Sequence, residues 1–182
     1  GLRLPKSHKV FEVYGTQETF GNSLQETCCE CLTDLDKEDQ YIFNWLKNNL
    51  HNFGAYCYWR GQEDKYAFPI ELLYGLNDRV ALFQSSFGHC KDFLIHDSRK
   101  YVLLDKCRID VRKLETAYAK WYEVLFGKSD PIGTTANMAA ILNRLSTYLF
   151  NLLRYEYVKD SLKLGVKIEE KHWSGSVEPF EM

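Results

Sequence analysis

The stretch "LQETCCECLTD" at positions 24–34 sets three of the chain's six cysteines, Cys28, Cys29 and Cys31, within four positions. Cys28 and Cys31 have the C-x-x-C spacing of half a zinc site, with His89, Cys90 and His96 as a possible second half. A structural zinc site places its pairs on turns, whereas Phe20, Leu24, Cys28, Cys31 and Leu35 follow one another at steps of four, four, three and four. That is one face of a helix, where a free cysteine acts as a small hydrophobe. Redox use fits no better. A reactive thiol needs a helix N-terminus to stabilise its thiolate, and Cys28 lies well inside its helix between Glu26 and Glu30, which oppose a thiolate. Adjacent cysteines on one helix cannot bridge each other with good geometry. The reading is packing, with no metal and no cofactor.

For nucleophilic catalysis the thiols Cys57, Cys90 and Cys107 and the bases His51, His89 and His96 are present, but no activating motif joins them. The chain has no G-x-S-x-G, H-E-x-x-H, phosphate-binding P-loop or G-x-G-x-x-G. Cations are better organised. Over residues 91–120, Arg99, Lys100, Lys106, Arg108 and Arg112 gather among Tyr101, Tyr118, Trp121 and Tyr122, a mixture that can hold phosphates and stack bases. Asp97, Asp105, Asp110 and Glu115 interleave with them, so a solvated charged surface over an aromatic core is the preferred reading. Lys159, Lys163, Lys167 and Lys171 recur every fourth position, interrupted by Gly165 and by acids, and read as a salt-bridged outer face.

These residues must be carried by some arrangement of elements, and the apolar periodicity predicts α+β. "HKVFEVYGT" reads as a short strand ending at Gly15. A helical hairpin follows, its second helix capped by Asp34 or Asp36 and carrying Ile42, Trp45, Leu46, Leu50 and Phe53 on one face before Gly54. Residues 55–106 read as a small antiparallel sheet, with one hairpin around "RGQED" and another around "DSRK", Pro69 either limiting the second arm to an edge strand or beginning a short helix through "IELLYG". A rival reading runs one helix from Asp78 to His96 on Val80, Phe83, Phe87, Cys90 and Leu94. Asp110 then caps a helix along Val111, Leu114, Tyr118, Trp121 and Leu125. Beyond "KSDPIGTT" a long last helix carries Met138, Ile141, Leu145, Tyr148, Leu149 and Leu152 without an internal proline. The expected organisation is one α+β domain over residues 1–165 and a polar C-terminal tail, 166–182, with Trp173 as an anchor.

The chain's 182 residues suffice for one domain with a real core, and a net charge of -2 supplies no global attraction to nucleic acid or to an anionic membrane. No apolar run approaches a membrane span, the first ten residues lack a signal-peptide core, and no Asn-x-Ser/Thr sequon occurs, which together point to an intracellular chain. With no catalytic signature, the expected role is protein–protein recognition or self-association within a larger assembly, as a non-enzymatic scaffold with no small-molecule substrate. Leu153 and Val158 lie away from the main stripe of the last helix and are the candidate partner contacts. An RNA-binding module using Arg99, Lys100, Lys106, Arg108 and Arg112 is the alternative, and a cysteine- or zinc-dependent enzyme the third possibility.

Overall fold

The computed structural model describes residues 4–59, 61–87, 94–165 and 170–172. Within them the chain forms helices α1 (Lys9–Cys31), α2 (Lys37–Asn49), α3 (His51–Tyr58), a single turn α4 (Glu63–Tyr66), α5 (Ile70–Gln84), α6 (Arg99–Phe126) and α7 (Gly133–Leu164). Two-residue strands β1 (Leu94–Ile95) and β2 (Lys171–His172) pair antiparallel, Leu94 opposite His172. Helices α1, α6, α7 and α5 pack side by side in that order. On the other side, Asp39 of α2 meets Tyr148 of α7, and Phe53 of α3 packs edge-on against Tyr118 of α6, with ring centroids 5.2 Å apart.

Each long helix forms because one stripe must be buried. In α1 it is Val10, Val13, Gln17, Phe20, Leu24 and Cys31, and in α6 it includes Leu104, Cys107, Val111, Leu114, Tyr118 and Trp121. The 32 residues of α7 extend about 48 Å, and it is buried on so much of its circumference because α6 and α5 flank it. Gly165 ends it in the left-handed region, at a φ of 65°, where glycine carries no side-chain penalty. No described helix is long and apolar enough to cross a membrane.

The α+β expectation is therefore corrected to an almost wholly helical bundle. "HKVFEVYGT" is the first part of α1: Val10 and Val13 continue into the Phe20 and Leu24 stripe, and so short an apolar run fits a strand or a helix equally until its length decides. The predicted sheet over 55–106 is replaced by α3, α4, α5 and the start of α6. Tyr56 and Tyr58 alternate as in a strand, but Phe53, Tyr56 and Cys57 are buried at helical steps. In the supposed "DSRK" hairpin Leu94–Ile95 is extended yet pairs with the C-terminal segment, while Tyr101, Leu104, Cys107 and Val111 make a helix face. Asp110, expected to begin a helix, sits in the middle of α6. The rival helix from Asp78 holds in part, since α5 runs to Gln84 with Val80 and Phe83 buried; Cys90 lies outside the described residues. So do His89, Trp173 and most of the tail.

A chain of charges, buried at Glu156 and half-buried elsewhere, ties the elements together. Glu156 of α7 is fully buried between Lys100 of α6, at 2.5 Å, and Lys159, at 2.6 Å. Lys159 also reaches Asp36, the residue that precedes α2, at 3.2 Å, and Asp36 accepts from Arg79 of α5 at 3.0 Å. Burial pushes the Glu156 carboxyl above the usual range, because the two lysines recover only part of the desolvation cost.

Candidate functional site

The α1 and α6 stripes that face each other leave an outward edge on each helix, and between those edges lies an open groove of about 520 Å³. On α6 it is lined by Arg108, Ile109, Arg112, Lys113, Thr116 and Lys120, and on α1 by Glu12 and Thr16. Arg108, Arg112, Thr116 and Lys120 stand at four-residue steps, one row along the helix opposite its apolar stripe. Four cations against one lining carboxylate give the groove a positive field at the outer end of the α1–α6 contact.

Three of the four cations are already held. Lys120 binds Glu12 at 3.1 Å, and the bonds from Lys120 and Lys9 keep the Glu12 carboxyl below the usual range. Lys113 reaches Asp110 at 3.3 Å; that carboxylate is only 3% exposed and accepts the Ser23 hydroxyl across the α1–α6 contact at 2.5 Å. Arg108 donates its Nε to Asp105 at 2.6 Å. Arg112 is exposed, and among the described residues no carboxylate holds it. An exposed guanidinium beside three positioned cations is a ready partner for a polyanion such as a phosphate chain, which it can grip through two parallel N–H bonds.

Behind Arg108 runs a polar chain into the bundle. The other Asp105 oxygen lies 3.6 Å from Nε2 of His96, whose Nδ1 is 3.2 Å from the Tyr157 hydroxyl, and the Tyr157 ring stacks on Tyr101 at 3.8 Å. Burial alone would raise the Asp105 carboxyl, but the bonds from His96 and Arg108 outweigh it and leave the group below the usual aspartate range. A carboxylate depressed in the folded state stabilises the fold above its unfolded pKa of about 4, and that contribution is lost as pH falls through the folded value. Replacing Asp105 with asparagine is thus expected to reduce the acid-induced loss of stability below about pH 4, seen as a smaller difference between urea midpoints at pH 7 and pH 3. An unchanged difference would place the acid sensitivity elsewhere.

The structure divides the predicted cations. Arg108 and Arg112 line the groove. Arg99 instead binds Glu26 at 2.9 Å and reaches Glu30, Lys106 binds Glu26 at 3.0 Å, and Lys100 is enclosed by Glu156 and Asp160. Three of the four rings expected to stack bases are inside, Tyr101 at 5% exposed, Tyr118 at 2% and Trp121 at 1%, while Tyr122 is half-buried. Packing took those three because they fall on the same stripe as Leu104, Val111 and Leu114, which leaves little of the ring surface an RNA-binding reading needs. Leu153 is buried in the main core and Val158 half-buried on α7. Among the thiols, burial pushes Cys31 up to about 11 and Cys107 up to about 12, the latter beside the Thr27 hydroxyl at 3.2 Å. No metal-holding group of histidine, cysteine and carboxylate side chains occurs among the described residues. The sequence held one signal for the groove that composition obscured, the four-residue row from Arg108 to Lys120.

A protein-family model described as cobalamin adenosyltransferase matches residues 1–156. No curated protein gives a significant match.

Proposed function

The chain belongs to the cobalamin adenosyltransferase family, and from that premise we propose that it moves the adenosyl group of ATP onto the cobalt of a cobalamin, with the α1–α6 groove holding the phosphate chain. Membership in a family of enzymes acting on ATP and cobalamin replaces the expectation of a non-enzymatic scaffold, and with it the expectation that no small-molecule substrate is involved. The error has a chemical reason. In adenosyl transfer the metal substrate is itself the nucleophile, so the protein needs no activated serine, cysteine or lysine and carries no motif for one.

The transfer forms a bond from cobalt to the C5′ carbon of the nucleoside as the bond from C5′ to the phosphate oxygen breaks. The cobalamin enters already reduced to Co(I), so cobalt supplies the electron pair of the new bond and ends as Co(III), and the departing phosphate chain keeps the pair of the old one. Two tasks fall to the protein: holding the substrates in line and neutralising charge that grows on the leaving oxygen. Arg112 suits the second task, with Lys113, Lys120 and Arg108 shared between the groove and Asp110, Glu12 and Asp105. Thr16 and Thr116 spend their hydroxyl protons on main-chain carbonyls of their own helices, which leaves oxygens free to accept. An intracellular setting belongs to the same proposal, supported by the free thiols Cys28, Cys29, Cys31, Cys57 and Cys107.

The observation carrying the proposal is the exposed Arg112 guanidinium, held by no carboxylate among the described residues, in a row of cations. Arg112→Ala is expected to weaken ATP binding about tenfold in titration calorimetry while leaving adenosine affinity unchanged, and Arg112→Lys to recover part of the loss. Unchanged ATP affinity, or equal losses for ATP and adenosine, would move the phosphate site away from this groove.

A further inference from the structure

On the far side of the bundle from Arg112, α2 and α5 diverge around a cleft of about 540 Å³ that shares no lining residue with the α1–α6 groove. Its walls are the rings of Tyr41 and Trp45 and the aliphatic side chains of Ile42 and Leu72. The Trp45 ring is fixed by an edge-on contact with Phe68, centroids 5.2 Å apart. Tyr41 is left 71% exposed at the mouth. Gly75 lines the cleft without a side chain, and a Cβ built there meets nothing within 4 Å, so the α5 wall is open at that position.

The charges around this apolar slot have one sign in excess. Glu38 stands on α2, and Glu71 and Asp78 flank Gly75 on one face of α5 at steps of four and three. Among the described residues none of these three carboxylates has a hydrogen-bond or ion-pair partner, whereas the nearby Arg79 is spent on Asp36 and Asp39. Lys37 is the remaining cation of the lining. The volume lies within the range of small-molecule sites, which are mostly apolar with a few polar groups that fix orientation. The Arg79 bridges also hold α5 to α2 before any ligand arrives, which lowers the ordering cost of binding.

We propose that the α2–α5 cleft is a second ligand site, built for a small amphipathic organic cation whose flat apolar body enters between Tyr41, Trp45 and Gly75 while its ammonium group meets Glu71 and Asp78. The rings attract the cation through their faces and the carboxylates through their charge. The same field repels phosphates and carboxylates, so ATP is not its ligand.

The test uses the whole chain and two probes of similar shape and opposite charge, phenethylamine and 3-phenylpropionate, followed by NMR at the indole N–H of Trp45 with the buried Trp121 as internal reference. Phenethylamine is expected to shift Trp45 and not Trp121, and 3-phenylpropionate to bind at least about tenfold more weakly. Gly75→Leu places a branched side chain in the open space where a Cβ meets nothing within 4 Å and should abolish the shift. The double change Glu71→Gln and Asp78→Asn should weaken phenethylamine severalfold, with ATP affinity unchanged in both variants. Absence of a Trp45 shift with the cation, equal binding of the two probes, or binding that survives Gly75→Leu overturns the proposal. Because ATP binding is read separately, failure here and failure of the α1–α6 assignment are distinguishable.

Discussion

Replacing Arg79 with methionine is expected to lower the unfolding free energy by about 3–5 kcal/mol, the range for removing one partner of a buried ion pair. Asp39 is fully buried and accepts from Arg79 Nε at 2.9 Å, from a second Arg79 nitrogen at 2.5 Å and from the Tyr148 hydroxyl at 2.9 Å. Arg79 is also the residue that joins α5 to Asp36. Burial pushes the Asp39 carboxyl above the usual aspartate range even with Arg79 beside it, so desolvation already exceeds what the pair returns. Without the guanidinium the carboxylate is left in a site with one hydroxyl donor, and methionine restores the volume but not the charge.

The same reasoning fixes the sign of the pH dependence. In the variant the folded-state pKa of Asp39 rises further above its unfolded value of about 3.9. Such a group favours the fold when it is protonated in both states, and it penalises the fold as pH rises from the unfolded value through the folded one. The deficit of Arg79→Met should therefore be largest at neutral pH and shrink toward pH 4. Adding Asp39→Asn to Arg79→Met should recover much of the loss, because the stranded charge is gone. Denaturant midpoints at constant m-value would show this. A double variant as unstable as the single one, or a single variant within 1 kcal/mol of the parent, would mean that the pair is incidental to the packing of α2 on α5.

What could be read from the sequence followed from distance along the chain. The stripes of α6 and α7 are local, and Leu114, Tyr118, Trp121, Ile141, Leu145 and Tyr148 are buried where their spacing puts them. Short aromatic runs such as Tyr56 to Tyr58 carried too few residues to separate a period of 2 from one of 3.6, and the sheet expected from them is absent among the described residues. The cations show the same limit. Arg108 and Arg112 could be singled out by type as candidate anion contacts, but nothing near Arg99 in sequence announces that Glu26, 73 residues away, takes its charge. Glu156, one of the acids among the lysines at four-residue steps, is the buried anion around which Lys100 and Lys159 are arranged. The proposed adenosyl transfer leaves no motif for a different reason: a reaction whose nucleophile belongs to the substrate asks only for placed charge in the protein, and placed charge looks like surface.

Two glycines on facing helices should respond to the same substitution with opposite signs. Gly54 of α3 packs against α1 so closely that an added Cβ would lie 2.6 Å from Gln17 Oε1 and 2.6 and 2.9 Å from two carbons of the Tyr14 ring. Neither neighbour can yield cheaply. Gln17, 1% exposed, accepts the Gly54 amide N–H at 2.5 Å and contacts His51 Nδ1 through its own amide nitrogen at 3.2 Å, so swinging it away strands a buried donor. Tyr14 is held edge-on to Tyr58 with centroids 6.2 Å apart. Gly54→Ala is accordingly expected to cost about 2–3 kcal/mol, overpacking and a strained hydrogen bond outweighing the gain of about 1 kcal/mol that alanine brings to a helix interior. At Gly15 of α1 a Cβ meets nothing within 4 Å, and there the propensity term acts alone, so Gly15→Ala should stabilise by about 0.5–1 kcal/mol. Thermal unfolding of the two variants side by side decides the matter. If both glycines tolerate alanine, α1 and α3 are further apart than 2.6 Å contacts allow; if both lose stability, helix propensity is not the term that separates them.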